Sequence, residues 1–339
     1  CLHSYSGNAE LNALQGYHDL QDLSVGNRVT AQGLSVLKTF PNLKRMSFWE
    51  EPKLLKGIGL KNLAECSNLE ELDLPCFAPG SDYTPLLKMK KLKEISIAFN
   101  KDSISTIANL RHLEKLRLQV NSNDVTSKEL ALMLSQLKSS KQLKLLGIRI
   151  GSLTNPPVVS AEVIEEISKM KSLEVLYLPE IQSQDFGKIG RLENLRRLSI
   201  RSTHSQRKKP VDYDIAQLKD LEKIEELNIN YKFSQSGLKV LEQFSNLKFL
   251  NLSYSKEREG KEDFVVTDED LRLYVSTLHN LEYLSLIGQP EVTDQGIIYL
   301  THLTKLDDWS FKNTDKISSK GIQAFREKRA QMKKLNQQK

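Results

Sequence analysis

Residues 292–306 read VTDQGIIYLTHLTKL, and close versions of this wording occur elsewhere in the 339-residue chain. Residues 266–284 read VTDEDLRLYVSTLHNLEYL, and residues 29–46 read VTAQGLSVLKTFPNLKRM. A phrase that recurs at a fixed period is typical of a chain built from one repeated structural unit.

The phrase L-x-x-L-x-L closes each unit, with other apolar residues sometimes replacing leucine, and it occurs twelve times. Its copies begin at Leu20, Leu43, Leu69, Leu92, Leu113, Leu143, Leu173, Leu195, Ile224, Leu247, Leu281 and Leu306. The eleven intervals between the first and the last copy therefore average 26 residues.

Each copy predicts a β-strand with one buried face. In the fifth copy, Leu116 and Leu118 alternate with Lys115, Arg117 and Gln119. Side chains of a strand point alternately to its two faces, so the leucines face a core and the polar residues face solvent.

The segments between the strands predict helices. Residues 160–170 (SAEVIEEISKM) and 234–244 (SQSGLKVLEQF) carry apolar residues at helical spacing. Thr126 before Glu129 and Thr267 before Asp270 are typical helix-start signals. A unit this short cannot bury its apolar side alone, so neighbouring units must stack on one continuous core.

Taken together, these phrases resemble leucine-rich repeat proteins, in particular the bacterial type that reads I-T-D-x-G-L-x-x-L. The resemblance implies an α/β fold, a right-handed solenoid forming an arc of about twelve repeats. Its parallel β-sheet would line the concave face and its helices the convex face. A doubly wound nucleotide-binding fold is excluded, because GIGLKN at 57–62 has Asn62 where the third glycine of G-x-G-x-x-G belongs.

The predicted organisation is a spacer over 1–10, a repeat array over 11–317, and a capping helix with a basic tail over 318–339. The net charge is +6, and +5 of it lies in residues 326–339. We interpret this tail as the solvated side of the capping helix, with Ile322, Phe325 and Leu335 available to cover the end of the stack.

The chain begins with Cys1 instead of methionine. One interpretation is a processed bacterial lipoprotein whose Cys1 carries lipid, which would place the protein in the cell envelope, attached to a membrane through that anchor alone. The other is a truncated chain that happens to begin at this residue, which leaves a cytoplasmic location open. The residues do not decide between the two.

No catalytic motif is visible in the sequence. Neither H-E-x-x-H, nor G-x-S-x-G, nor a phosphate-binding glycine-rich loop occurs, and the three cysteines form no C-x-x-C pair. The sequence therefore predicts a protein that is not an enzyme and that needs no cofactor or metal.

The candidate partner-binding residues are the outward ones of the strands, chiefly in repeats five to eight. Five basic side chains lie there beside Tyr177, and arginine and tyrosine are frequent anchors of interfaces. The predicted site comprises Lys115, Arg117, Arg149, Tyr177, Arg197, Arg201, Phe249 and Tyr283. Insertions at 121–124, 151–157, 201–210 and 255–263 follow four of the strands, so we expect them on one rim beside this face.

These observations favour a non-catalytic scaffold that binds a protein or peptide on the concave face and the loop rim. The basic residues favour a partner with an acidic surface. The alternative is a receptor for an anionic ligand, such as a lipid headgroup, an acidic glycan or nucleic acid, through the same basic patch. Nucleic acid fits less well, because Tyr177 is the single aromatic residue within the patch. An adaptor subunit of a larger enzyme assembly fits less well still, since no adaptor-binding helical segment precedes the repeats.

Overall fold

The computed structural model describes residues 6–48, 58–74, 81–110, 112–120, 125–137, 141–150, 159–201, 215–229, 235–253, 266–312 and 314–337. The chain divides between Leu173 and Glu174 into two compact units. Cys1 and the four predicted rim insertions, apart from Arg201, lie outside the described residues.

The described residues of the first unit form six parallel strands, each of which pairs with the next one in the sequence. They are β1 (Asp22–Val25), β2 (Arg45–Phe48), β3 (Glu71–Leu74), β4 (Glu94–Phe99), β5 (Lys115–Val120) and β6 (Leu145–Ile150). Every strand includes the last part of one L-x-x-L-x-L phrase, and the pairing keeps equivalent residues of successive phrases side by side. Leu72, for example, lies between Met46 and Ile95, and all three are buried.

Short helices connect these strands. They are α1 (Asn8–Asn12), α2 (Ile58–Leu63), α3 (Ile104–Asn109), α4 (Ser127–Leu137) and α5 (Ala161–Ser168), together with 3-10 segments at Gly33–Thr39 and Thr84–Lys88. Neighbouring helices pack on one another, α3 on α4 and α4 on α5. Thr126 starts α4 as predicted, since its backbone N–H donates to Glu129 Oε2 at 2.7 Å.

The second unit repeats the arrangement. Its strands are β7 (Val175–Pro179), β8 (Arg197–Arg201), β9 (Glu226–Ile229), β10 (Phe249–Asn251), β11 (Tyr283–Ser285) and β12 (Asp308–Ser310), again parallel and paired in sequence order. Its helices are α6 (Phe186–Ile189), α7 (Gln235–Leu238), α8 (Asp268–Leu273), α9 (Asp294–Ile298) and α10 (Ser319–Gln337), with 3-10 segments at Ser183–Asp185, Lys239–Gln243 and Val275–Thr277.

The first leucine of each phrase forms the centre of the core. Of the twelve phrase-initial residues, eleven are at most 2% exposed, and Leu20 at the start of the array is half-buried. The predicted fold class, an α/β repeat solenoid with parallel strands and helices, is confirmed by this arrangement. The predicted domain boundaries remain a prediction, although Asn8–Glu10 of the expected spacer already belong to α1.

The phrase VTDQG at 292–296 and its close versions have a structural reason, because an aspartate ties one repeat to the next. Asp268 at the start of α8 accepts hydrogen bonds from the backbone N–H of Thr293, at 2.8 Å, and from its hydroxyl, at 2.5 Å. Asp294 at the start of α9 accepts the equivalent pair from Ser318, at 2.7 and 2.6 Å. Each carboxylate thereby satisfies a backbone donor just before the following helix, where no intrahelical partner exists.

The glycine of the phrase leaves room for this carboxylate. A Cβ atom on Gly296 would lie 2.1 Å from Asp268 Oδ1, and a Cβ on Gly321 would lie 1.9 Å from Asp294 Oδ1. Near the start of the chain, Asn8 replaces the aspartate, bonds to Thr30, and faces Gly33 in the same way. Aspartate or asparagine in one repeat and glycine in the next are therefore a matched pair.

Helix α10 covers the last repeat with an aromatic cluster. Phe325 is fully buried, and its ring meets those of Trp309 and Phe311 edge to face, with centroids 5.1 and 5.9 Å away. The Arg329 guanidinium lies 5.0 Å from the Trp309 ring centroid and donates to the Leu303 carbonyl at 3.2 Å. The cap therefore includes a cation that the basic tail supplies.

Two details of the predicted cap are wrong. Leu335 is 55% exposed, since the last buried residue of α10 is Arg329. Arg329 is only 5% exposed and does not belong to a solvated face. Burial lowers the pKa of Arg329, and the Asp307 carboxylate, 3.5 Å away, opposes that shift. Within the described ranges, no helix combines the length and the apolar character that crossing a bilayer requires.

Candidate interaction surface

The strand pairing of the first unit places the outward side chains in rows. The row at the first outward position runs Asp22, Arg45, Glu71, Glu94, Lys115 and Leu145. The charged part of the row ends at Lys115, because Leu145 is uncharged and only 7% exposed. Adjacent strands lie about 4.8 Å apart, which brings neighbouring charges within ion-pair distance.

Lys115 and Arg117 of the predicted site converge on one carboxylate. Lys115 Nζ lies 2.9 Å from Glu94 Oε2, and the Arg117 guanidinium donates to Glu94 Oε1. Partial burial alone would raise the pKa of Glu94, but the hydrogen bonds from Lys115 and Arg117 outweigh it and hold that pKa below its usual value. The two cations therefore share one anion, and the cluster carries a net charge of +1 in place of +2.

Arg149 differs from these two cations. It lies on β6 opposite Gln119 of β5, its side chain is exposed, and none of the described residues pairs with it. On the acidic side, the carboxylates of Glu71 and Asp73 on β3 likewise form no hydrogen bond in the described part of the chain, although Glu71 attracts the neighbouring Arg45 electrostatically. A charged group of a binding partner would form its most favourable ion pairs with these three side chains, because no hydrogen bond of their side chains within the unit has to break first.

A shallow depression of about 470 Å³ lies on this face of the first unit. Its floor includes the hydroxyls of Ser24, Ser47 and Ser96. Four carboxylates and two arginines surround it: Asp22, Glu71, Asp73, Glu94, Arg45 and Arg117. The depression is therefore polar and carries both signs of charge, and it lies on repeats one to five, where Arg117 is the one residue it shares with the predicted basic site.

The second unit holds the other predicted site residues. Arg197 of β8 lies 3.0 Å from Glu226 Oε1 on β9, so this cation also has a carboxylate partner. Tyr177 is half-buried on β7 and lies opposite Ser199 of β8. Arg201 is the last residue of β8, and its side chain is not among the described parts of the structure.

Phe249 and Tyr283 form the most prominent feature of the second unit's outward face. They are direct partners on β10 and β11, and their rings stack in parallel, with centroids 4.3 Å apart and planes inclined by 3°. Both side chains are half-buried in the chain alone. Stacked rings of this kind offer a rigid, amphipathic surface for a partner at little cost in conformational entropy.

A ladder of amides and hydroxyls runs beside the stacked rings. Asn251 donates to the Asn228 side chain at 3.2 Å, and the Ser253 hydroxyl bonds both to Asn251 at 2.5 Å and to Ser285 at 2.7 Å. These bonds hold the side chains of β9 to β11 in fixed positions. Hydrogen bonds therefore link outward side chains of β9, β10 and β11 to one another.

A second cluster of charge lies in the first unit, at the edge where the strands begin. A depression of about 800 Å³ is lined there by Lys90, Lys91, Lys93, Lys141 and Lys144, with Glu70, Glu114, His112 and Gln142. Five lysines face two glutamates, which leaves a net charge of +3. Lys93 approaches Glu70 at 3.6 Å and Lys91 bonds to the neutral amide of Asn68 at 2.6 Å. This cluster was not among the predicted site residues, although the closely spaced lysines of MKKLK and KQLK could have indicated it.

The described residues contain no group of three or more histidine, cysteine or acidic side chains that could hold a metal ion. Cys66 is buried, and that burial raises the pKa of its thiol to about 11, which disfavours the reactive thiolate at neutral pH. His112 and His302 bond to carbonyl oxygens of the preceding repeat. Their role in the described structure is to connect repeats.

Comparison with known proteins supports the fold. The sequence matches no protein-family model and no curated protein. Among solved structures, the chain is similar to an internalin from Listeria monocytogenes, with 22% identity, a TM-score of 0.51, and coverage of 89% of this chain and 76% of that one. It is also similar to a chain of the Rad7 and Elc1 complex in yeast, with 15% identity, a TM-score of 0.53, and coverage of 94% and 70%.

Proposed function

We propose that this protein is a non-catalytic scaffold that binds a protein or peptide across the outward face of its strands. The observation that carries the proposal is the stacked pair Phe249 and Tyr283, two large rings side by side on the outward face of the second unit. Burying such rings against a partner is favourable, and aromatic residues commonly dominate the energy of an interface. The yeast structure, which is a complex of two proteins, is in keeping with a protein partner.

The test is the joint substitution of Phe249 and Tyr283 by serine. The wild-type chain is used to capture a partner from its native source, and the purified partner is then titrated against both chains. We expect the double variant to bind at least about a hundredfold more weakly, since two anchor residues are lost. The matched control is Leu132→Ser, which removes an exposed apolar side chain from helix α4, where Leu132 is 58% exposed. Equal affinities of wild type and double variant would exclude this surface.

In the first unit, we propose that Arg149 contacts an acidic group of the partner. Lys115 and Arg117 are held by Glu94 and contribute less, because a new carboxylate has to compete with the existing one. The substitution Arg149→Glu should weaken partner binding by about tenfold or more. Lys115→Glu serves as a comparison and should have a smaller effect, and the reverse order would contradict the assignment.

A second candidate function is binding of an anionic ligand. The lysine-lined depression in the first unit favours it, because its net charge of +3 is concentrated where the strands begin. Inorganic polyphosphate is a suitable probe, and its binding should fall steeply with added salt. The double substitution of Lys90 and Lys141 by glutamate should abolish that binding, while Lys115→Glu on the strand face should leave it unchanged. Equal losses in the two variants would indicate unspecific attraction.

A further inference from the structure

A carboxylate lies on each side of the stacked rings of the second unit, and the two carboxylates differ in their surroundings. Strand pairing places Glu226 of β9 beside Phe249, and Asp308 of β12 beside Tyr283. On both sides of the ring pair, the neighbouring strand therefore carries a carboxylate side chain, which is shorter than the rings. Because the rings stack face to face across the strands, the outer face of Phe249 is turned toward β9 and that of Tyr283 toward β12.

The chain supplies its own cation on one of these sides. Arg197 of β8 reaches Glu226, with Nε 3.0 Å from Oε1. On the other side, Asp308 is exposed and pairs with no cation in the described part of the chain. Its neighbour Asp307 is compensated by α10, since Lys333 donates to it and Arg329 lies 3.5 Å away. Hydrogen bonds from Lys333 lower the pKa of Asp307, whereas Asp308 takes no part in that network.

We infer that the surface between the Tyr283 ring and the Asp308 carboxylate binds an arginine side chain of the partner protein. A planar guanidinium can stack on the outer ring face of Tyr283 and at the same time donate two hydrogen bonds to the Asp308 carboxylate. Lysine fits less well, because its ammonium is compact, more strongly hydrated and unable to stack as a plane. The inference rests on the proposed function and specifies what the partner presents at this point.

The internal pair supports the choice of occupant. Arg197 and Glu226 show that this sheet face accommodates an arginine and a carboxylate on adjacent strands beside the same ring stack. Asp308 lies at the equivalent outward position at the opposite end of the stack, without such an arginine. Charge complementarity therefore calls for a cation, and the outer face of the half-buried Tyr283 ring favours a planar one.

The experiment uses two fluorescein-labelled peptides, Gly-Arg-Gly-Arg-Gly and Gly-Lys-Gly-Lys-Gly, titrated with the full chain and followed by fluorescence anisotropy. We expect the arginine peptide to bind about threefold to tenfold more tightly than the lysine peptide. Asp308→Asn and Tyr283→Leu should each lower the affinity for the arginine peptide by about threefold to fivefold. Tyr283→Phe keeps the ring and should retain the affinity.

A matched control separates this site from general attraction of a cationic peptide. Asp220→Asn removes the same charge from an exposed position of the second unit, in the turn before β9, and should change the affinity by less than about twofold. The inference is overturned if the two peptides bind equally, if no arginine peptide binds, or if Asp220→Asn and Asp308→Asn have equal effects. Loss of partner binding in the Phe249 and Tyr283 double serine variant, together with any of these results, would retain the proposed function and remove the arginine site alone.

Discussion

Replacing Gly296 with alanine would place a methyl group 2.1 Å from Asp268 Oδ1, a separation that the side chain of Asp268 can relieve only by moving. Moving it breaks its two hydrogen bonds to Thr293. Hydrogen bonds to a charged group contribute about 1.5–3 kcal/mol each, and the lower value applies here because Asp268 is half-buried. The loss is therefore about 3 kcal/mol, offset by about 1 kcal/mol because alanine favours a helix over glycine.

The predicted net cost of Gly296→Ala is about 2 kcal/mol of unfolding free energy. Asp268→Ala alone should cost about 3 kcal/mol through the same two bonds. In the Asp268→Ala background, Gly296→Ala meets no carboxylate and should stabilise the protein by about 1 kcal/mol. The two substitutions should thus be strongly non-additive, with a coupling of about 3 kcal/mol.

Urea unfolding measures this coupling, followed through Trp309 fluorescence in a Trp49→Phe background, in which Trp309 is the single tryptophan. Gly16→Ala is the matched control. Gly16 has a positive φ of 95° and open space around its Cβ position, so its cost should be conformational and independent of Asp268. Additive effects of the Asp268 and Gly296 substitutions would refute the idea that the recurring phrase encodes a link between repeats.

Three further predictions follow from single contacts. The pKa of Glu94 is lower in the folded chain than in the unfolded chain, so its ionised carboxylate stabilises the fold at pH values above the unfolded pKa. This stabilisation is lost as the pH falls through the pKa of the folded chain. The unfolding free energy of Glu94→Gln should therefore depend less steeply on pH in the acid range than that of the wild type. Cys66, as the single cysteine after Cys1→Ser and Cys76→Ser, should be alkylated by iodoacetamide at neutral pH far more slowly in the native than in the unfolded chain. Phe325→Ala should cost about 3–5 kcal/mol in urea unfolding, because the buried ring leaves a cavity in the cap; a cost below about 1 kcal/mol would contradict the cap.

The strands could be predicted from sequence because their signal is local. Alternation of leucine with polar residues places a strand within each phrase, and all twelve phrases contain one. The connecting elements were harder to predict. Residues 234–244 predicted one helix, but they form the short helix α7 followed by a 3-10 segment at Lys239–Gln243. Apolar spacing indicates which side is buried, and it does not distinguish an α-turn from a tighter one.

The candidate site was predicted in part for the same reason. Alternation within a strand identified Lys115, Arg117 and Phe249 as outward, but charge compensation depends on the neighbouring repeat. Writing the phrases one above another in register would have set Glu94 beside Lys115 and Tyr283 beside Phe249, so the signal was present in the sequence. The lysine-lined depression involves turn residues, to which strand alternation does not apply.

The claim on which the functional account depends is that partners bind the strand face and not the helical side. Site-specific photo-crosslinking tests it most directly, with p-benzoylphenylalanine introduced in turn at Asn251 on β10 and at Leu132 on α4. We predict a discrete covalent adduct with the partner protein from position 251 and none from position 132. An adduct from position 132 with none from position 251 would contradict the account.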